Sequence, residues 1–120
     1  MAVMSELKTE ITELAKFLEG AKAQKVMALD VRETCVWTDY FIIATYNSHG
    51  HLMGLLNELG EYFVNSHWEV NAGKAQKKQA NEWILIDLGE AVIHLFSAQA
   101  REFYELEKLW YSSDVVYQSS

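Results

Sequence analysis

The sequence predicts a single α/β domain in which a mixed β-sheet is packed with helices. Three observations predict it. Leu7, Ile11, Leu14, Ala15 and Leu18 recur at helical spacing. Tyr40 to Thr45 (YFIIAT) is an unbroken apolar run of strand length. Trp83 to Asp87 and Ala91 to Phe96 are two more such runs, joined by a turn that contains Gly89. Helical stripes interleaved with strand-length runs imply a sheet with helices laid on it, without internal repeats. At 120 residues the chain reads as one domain, residues 1–120, large enough to bury one core.

In chain order, residues 5 to 20 read as an amphipathic helix, with Ser5 as N-cap and Gly20 as its stop. Lys25 to Val31 reads as the first strand. Tyr40 to Thr45 is the second, and its continuous apolarity predicts a central strand buried on both faces. The connection from Arg32 to Asp39 is short enough to make these two antiparallel neighbours. Ser48 is placed to cap the next helix, whose stripe is Leu52, Leu56, Leu59 and Phe63. Gly50, Gly54 and Gly60 each weaken that helix by about 1 kcal/mol against alanine, so either they allow close packing or the helix leans on tertiary contacts. Trp68 to Val70 reads as a short strand. Asn71 to Asn81 reads as a mobile loop with the one basic island, Lys74, Lys77 and Lys78.

The last stretch is a hairpin and a helix. Asp87-Leu88-Gly89-Glu90 supplies glycine where the turn needs a positive φ, so the flanking runs pair antiparallel. Ser97 stands as the N-cap of a helix whose buried stripe is Phe103, Leu106 and Trp110. Tyr104, Glu105 and Glu107 fall off that stripe and should stay partly exposed. Trp83, Arg101, Tyr104, Glu105, Glu107 and Trp110 are the candidate partner-binding residues. Tryptophan, tyrosine and arginine bury large area and keep a polar handle, which is why they dominate interface hot spots. Trp83 and Trp110 fit the core equally well, and Arg101 with Glu105 also fits an i, i+4 surface pair. Residues 111–120 carry no assignable pattern and are read as a flexible tail.

Composition narrows the function. No run approaches the roughly 20 apolar residues a membrane span needs. The acidic N-terminus lacks the apolar core of a secretory signal. The single cysteine, Cys35, excludes an intrachain disulfide, and the expected compartment is the bacterial cytoplasm, or an organelle matrix after trimming. A net charge of −7 argues against direct binding to nucleic-acid phosphates and suits a basic protein partner, although acidic surfaces also serve solubility alone.

No catalytic set, metal site or cofactor is expected. There is no glycine-rich phosphate loop of either common type. His49 and His51, two apart at a helix start, do not face each other and make a poor metal pair. His94 lies on the opposite strand face from Ile93 and Leu95 and reads as a hydrogen-bonded structural histidine. Asp39 and Asp87 read as turn devices.

Two segments carry a family resemblance. WILIDLGEAVIHLF followed by REFYELEKLW resembles the C-terminal half of the ribosomal silencing factor family, also called RsfS or Iojap-like. ALDVRETCVWTDYFIIAT resembles that family's first strand pair, with Asp39 just before the second strand. The resemblance implies a fold related in topology to nucleotidyltransferases. It also implies binding to the large ribosomal subunit through the basic ribosomal protein uL-fourteen, at the face that meets the small subunit. Subunit joining is then blocked sterically and translation falls when nutrients are scarce, with neither catalysis nor cofactor. The free protein is expected to be able to form a homodimer. The alternatives are a small enzyme or nucleotide-binding protein of nucleotidyltransferase-like fold, and an adaptor in ribosome assembly. Against the enzyme, nucleotidyltransferases hold metal with a D-x-D pair after a Gly-Ser turn, and no two of Asp30, Asp39, Asp87 and Asp114 stand two apart. Tyr46, Gly50 and the pair Gln76-Lys77 depart from the family's usual glycine, arginine and Glu-Gly. These departures bear on the loop's part in binding more than on the fold.

Overall fold

A computed structural model describes residues 2–36, 38–70, 77–80, 82–104 and 113–119. The elements run α1 (Ala2–Gly20), β1 (Gln24–Asp30), β2 (Tyr40–Tyr46), α2 (His49–Val64), β3 (Lys77–Ala80), β4 (Trp83–Asp87), β5 (Ala91–Ser97), α3 (Ala98–Tyr104) and β6 (Asp114–Gln118). The strands form one six-stranded sheet in the order β3-β4-β5-β2-β1-β6. β2 and β5 run parallel, and the other neighbouring pairs are antiparallel. The mixed sheet packed with helices is therefore as the sequence predicts. β2 is buried at every position, which is what a strand covered on both faces requires.

One face of the sheet receives α1 and α2. Ile11, Leu14, Ala15 and Leu18 are fully buried there, in one cluster with Ile42 and Ala44 of β2 and Ile93 and Leu95 of β5. Burying each of the larger side chains contributes about 1.5–3 kcal/mol. α1 begins upstream of its expected cap, so Ser5 lies inside the helix. Alanine and methionine are good helix formers, and Ala2 to Met4 carry the helix upstream of Ser5.

In α2, the Ser48 hydroxyl accepts the His51 N–H at 3.1 Å, as expected of a cap. Leu52, Leu55 and Leu59 are the buried positions, with Leu56 only partly covered. The sheet thus selects the i, i+3, i+7 line through Leu55 over the neighbouring line through Leu56. A Cβ added at Gly54 or Gly60 would meet nothing within 4 Å. Close packing is not their purpose, and α2 is held by its tertiary contacts.

Three segments differ from expectation. Trp68 to Val70 forms no strand; Trp68 is instead 6% exposed and buries its indole in the α1–α2 cluster. Lys77–Ala80, expected as loop, is the edge strand β3 against β4. Asp114–Gln118, expected as tail, is β6, paired with β1. Ser119 extends that pairing: its N–H donates to the Val26 carbonyl and its hydroxyl accepts the Val26 N–H, both at 2.9 Å. β3 is a polar edge strand for which the ladder offered by β4 outweighs weak propensity, whereas β6 sets the β-formers Val115, Val116 and Tyr117 along β1 with Val116 and Tyr117 against the core. Residues 71–76 and 81, with Lys74 and Gln76, lie outside the described residues.

The hairpin forms as the glycine turn predicts. Gly89 has φ +87°, and its N–H donates to the Asp87 carboxylate at 2.8 Å. The register sets Trp83 opposite Phe96 and Asp87 opposite Val92. The Thr38 hydroxyl donates to the Gly89 carbonyl at 3.1 Å, which ties the turn to the start of β2.

Candidate protein-docking site

The second face of the sheet carries a different set of side chains. Alternation along each strand places Leu29, Phe41, Ile43, Val92 and Phe96 there, with Trp83, Leu85 and Tyr104 packed against them. Trp83 is half-buried at the end of β4. Its indole N–H donates to His94 Nδ1 at 3.1 Å. His94 is 2% exposed, and burial holds its pKa down at about 3, so the ring is neutral. With Nδ1 accepting, the proton belongs on Nε2. That atom has no hydrogen-bond partner among the described residues, while the ring meets Phe41 edge-on with centroids 4.6 Å apart. The histidine is structural, as expected, but only one of its nitrogens is matched.

α3 completes the aromatic group. The Ser97 hydroxyl accepts the Ala100 N–H at 3.1 Å and caps the helix, as its position predicts. Tyr104 packs 5.1 Å from Trp83 and 6.4 Å from Phe96, ring to ring. Phe103 stands edge-on to Tyr104 at 4.9 Å and is 76% exposed. This reverses the expectation that Phe103 belongs to the buried stripe. Ala100 and Arg101 are the buried positions of α3, with Tyr104 one turn on, so the helix is rotated by about one residue from the phase its apolar spacing suggests. The sheet demanded the rings of Trp83 and Phe96 be covered, and Tyr104 covers them.

Arg101, expected among the exposed contact residues, is 7% exposed. Its guanidinium donates to the Thr45 hydroxyl at 3.0 Å and to the Lys25 carbonyl. Lys25 has φ +51°, where β1 shifts register between Gln24 and Met27. Arg101 is thus a clasp from α3 to an irregularity in β1 and to β2. No sequence spacing announces such a partner set. Glu105, Leu106, Glu107 and Trp110 lie outside the described residues.

The remaining reactive groups are dispersed or engaged. His51 accepts the Asn47 N–H at Nδ1 (2.9 Å) and bonds the Ala21 carbonyl through Nε2 (3.0 Å). His67 Nε2 lies 2.6 Å from Glu10 Oε2. Cys35 is buried and free. Asp39 holds the start of β2 through its backbone, accepting the Val31 N–H at 2.9 Å and donating to the Glu90 carbonyl at 3.2 Å. A cleft of about 500 Å³ between α1 and α2 gathers Glu10, Glu13, Glu58 and Glu61 around Phe17 and Tyr62. Even so, no group of acidic, histidine or cysteine side chains among the described residues is arranged to hold a metal ion. No helix among them is long and apolar enough to cross a membrane.

Fold and site together define a class: a helix-flanked mixed-sheet domain with an aromatic ridge, Trp83–Tyr104–Phe103, emerging at one end of its α3 face. The family model described as ribosomal silencing factor during starvation matches residues 4–120, and the chain belongs to this family. It is 35% identical over 97 residues to the ribosomal silencing factor RsfS of Haemophilus influenzae, covering 81% of this chain and 93% of that one. It is 33% identical over 106 residues to the mouse mitochondrial assembly of ribosomal large subunit protein 1, covering 86% of this chain. This chain spans only about half the length of that mouse protein (46%). A solved Bacillus halodurans structure superposes with TM-score 0.68 at 31% identity, over 85% of this chain and 94% of that one. A Chromobacterium violaceum structure, at TM-score 0.71 and 24% identity over 88% of this chain and 84% of that one, shares the fold.

Proposed function

We propose that this protein binds the large ribosomal subunit through the basic ribosomal protein uL-fourteen and sterically prevents the small subunit from joining, so that translation falls under nutrient limitation. The observation that carries this reading is the half-exposed aromatic ridge of Trp83, Tyr104 and Phe103, together with the family to which the chain belongs. Such a mechanism requires a rigid domain, a complementary patch and bulk. A cofactor or catalytic step has no part in it. Trp83 and Tyr104 contact the partner, joined by Glu105, Glu107 and Trp110 from the stretch that carries the family resemblance, while Arg101 supports them from inside. The net charge of −7 favours a basic protein over nucleic-acid phosphate and speeds encounter with it.

On this reading residues 1–120 act as one domain in the cytoplasm, and free copies can pair as a homodimer that bound copies leave. The test is sedimentation with purified large subunits, followed by a subunit-joining assay. Cosedimentation at modest salt and slower joining are expected; protein that stays at the top of the gradient overturns the proposal. Light scattering over a concentration series checks the homodimer. The name of the mouse relative favours a second reading, an adaptor in large-subunit assembly. Accumulation of immature large subunits in cells lacking the protein, with normal joining of mature ones, selects that reading.

A further inference from the structure

One notch on the ridge has a chemistry of its own. It encloses about 230 Å³ and is lined by Glu82, Gln99, Ala100, Phe103 and Tyr104. Its walls are the edge-to-face pair of Phe103 and Tyr104, with Trp83 behind Tyr104. The Trp83 N–H is already bonded to His94, so the indole offers a visitor its ring rather than a donor. Glu82 is the one charged side chain in the lining among the described residues, and it is exposed. Its φ of +65° is a left-handed conformation that glycine adopts freely and a glutamate adopts at a cost. Its carboxylate accepts the Ser97 hydroxyl, and its carbonyl accepts the Ser97 N–H at 3.1 Å. A carboxylate has acceptor capacity well beyond that one side-chain bond.

We propose that this notch receives an arginine side chain of the basic partner, with the guanidinium stacked on the exposed Phe103 ring, its edge towards Tyr104, and paired with the Glu82 carboxylate. The proposal rests on the docking reading above and names the partner chemistry at that site. A planar guanidinium can stack on an aromatic face and hydrogen-bond a carboxylate at once, which a lysine ammonium does less well. A purely apolar visitor would cover Phe103 but strip water from Glu82 without giving it a partner. Phe103 then has a reason to stand in solvent, and Glu82 a reason to keep its side chain at a strained position.

Two variants test this by cosedimentation with purified large ribosomal subunits at several salt concentrations. Glu82→Gln keeps an acceptor for Ser97 and the same backbone demand but removes the charge. Phe103→Ala removes a ring that the fold does not bury. Both should melt within a few degrees of the parent protein. Each should weaken binding about tenfold, the equivalent of roughly 1.4 kcal/mol, and Glu82→Gln should also flatten the salt dependence. If the parent protein sediments and both variants bind within about twofold of it, the notch is empty in the complex, and the proposal falls while the docking reading stands. Loss with Phe103→Ala alone means an apolar visitor and overturns the arginine. Failure of the parent protein itself to sediment overturns the docking reading and this proposal with it.

Discussion

The two faces of the sheet are built from different side chains. Towards α1 and α2, β2 and β5 present Ile42, Ala44, Ile93 and Leu95, and helices of 19 and 16 residues cover them. Towards α3, the same two strands present Phe41, Thr45, His94 and Phe96, over which Ala98–Tyr104 of α3 lie. An aliphatic face can be covered by any well-placed stripe, because dispersion and burial are not directional. A face with a buried histidine, a buried arginine and four aromatic rings is directional, since each polar atom needs a particular partner and each ring a particular edge or face. The first face holds the fold together. The second holds a set of side chains in place and lets some of them emerge.

The sharpest way to break that comparison is acid. His94 is neutral in the folded protein down to about pH 3, whereas an unfolded chain protonates it near 6.5. As pH falls through that window the unfolded state binds a proton that the folded state refuses, so stability is unaffected above 6.5 and declines below it. The loss reaches up to about 5 kcal/mol by pH 3. Asp30, whose carboxyl is held low chiefly by its hydrogen bond with Arg32, adds its own loss only below its ordinary value of 3.8. Urea denaturation at stepped pH measures the slope, and His94→Gln, which keeps an acceptor for the Trp83 indole, should remove the part above pH 4.

On the other face, Leu14→Ala should cost about 3–4 kcal/mol, since Leu14 is fully buried and its removal leaves a cavity. Phe103→Ala, at 76% exposure, should change stability by less than about 0.5 kcal/mol in the same denaturation experiment. Arg101→Ala lies between them. It leaves the Thr45 hydroxyl and the Lys25 carbonyl without their donor and should cost about 2–3 kcal/mol. Its affinity for large subunits, per folded molecule, should be unchanged, whereas a contact arginine would lose affinity with little loss of stability. The smallest effect has the opposite sign. Gly54→Ala and Gly60→Ala meet open space on α2 and should each stabilise by about 0.5–1 kcal/mol in urea denaturation.

How far the sequence could be read follows the same division. The α1 stripe, the β2 run, the Ser48 and Ser97 caps and the Gly89 turn are all visible in it, because each depends on residues a few positions apart. The edge strands were not visible: β3 is polar and exists only because β4 offers it a ladder, and β6 is a three-residue apolar run, Val115 to Tyr117, too short to show a period. Of the candidate site, Trp83 and Tyr104 were legible as aromatics beside a turn and off a stripe. The positions of Phe103 and Arg101 were not. Apolar spacing put Phe103 inside and left Arg101 outside, and the structure places them the other way round.

The sequence by itself determined the class of fold, the central strand, the hairpin and the family, since local periodicity and contiguous motifs carry all four. Only the tertiary structure decided the rotation of α3 and with it which rings are buried and which are offered. Phe103 and Tyr104 are adjacent rings on α3, so apolar spacing alone could not choose which of them faces the sheet. The choice was made by Trp83 and Phe96, which needed a ring above them, and by Thr45 and the Lys25 carbonyl, which needed the Arg101 guanidinium.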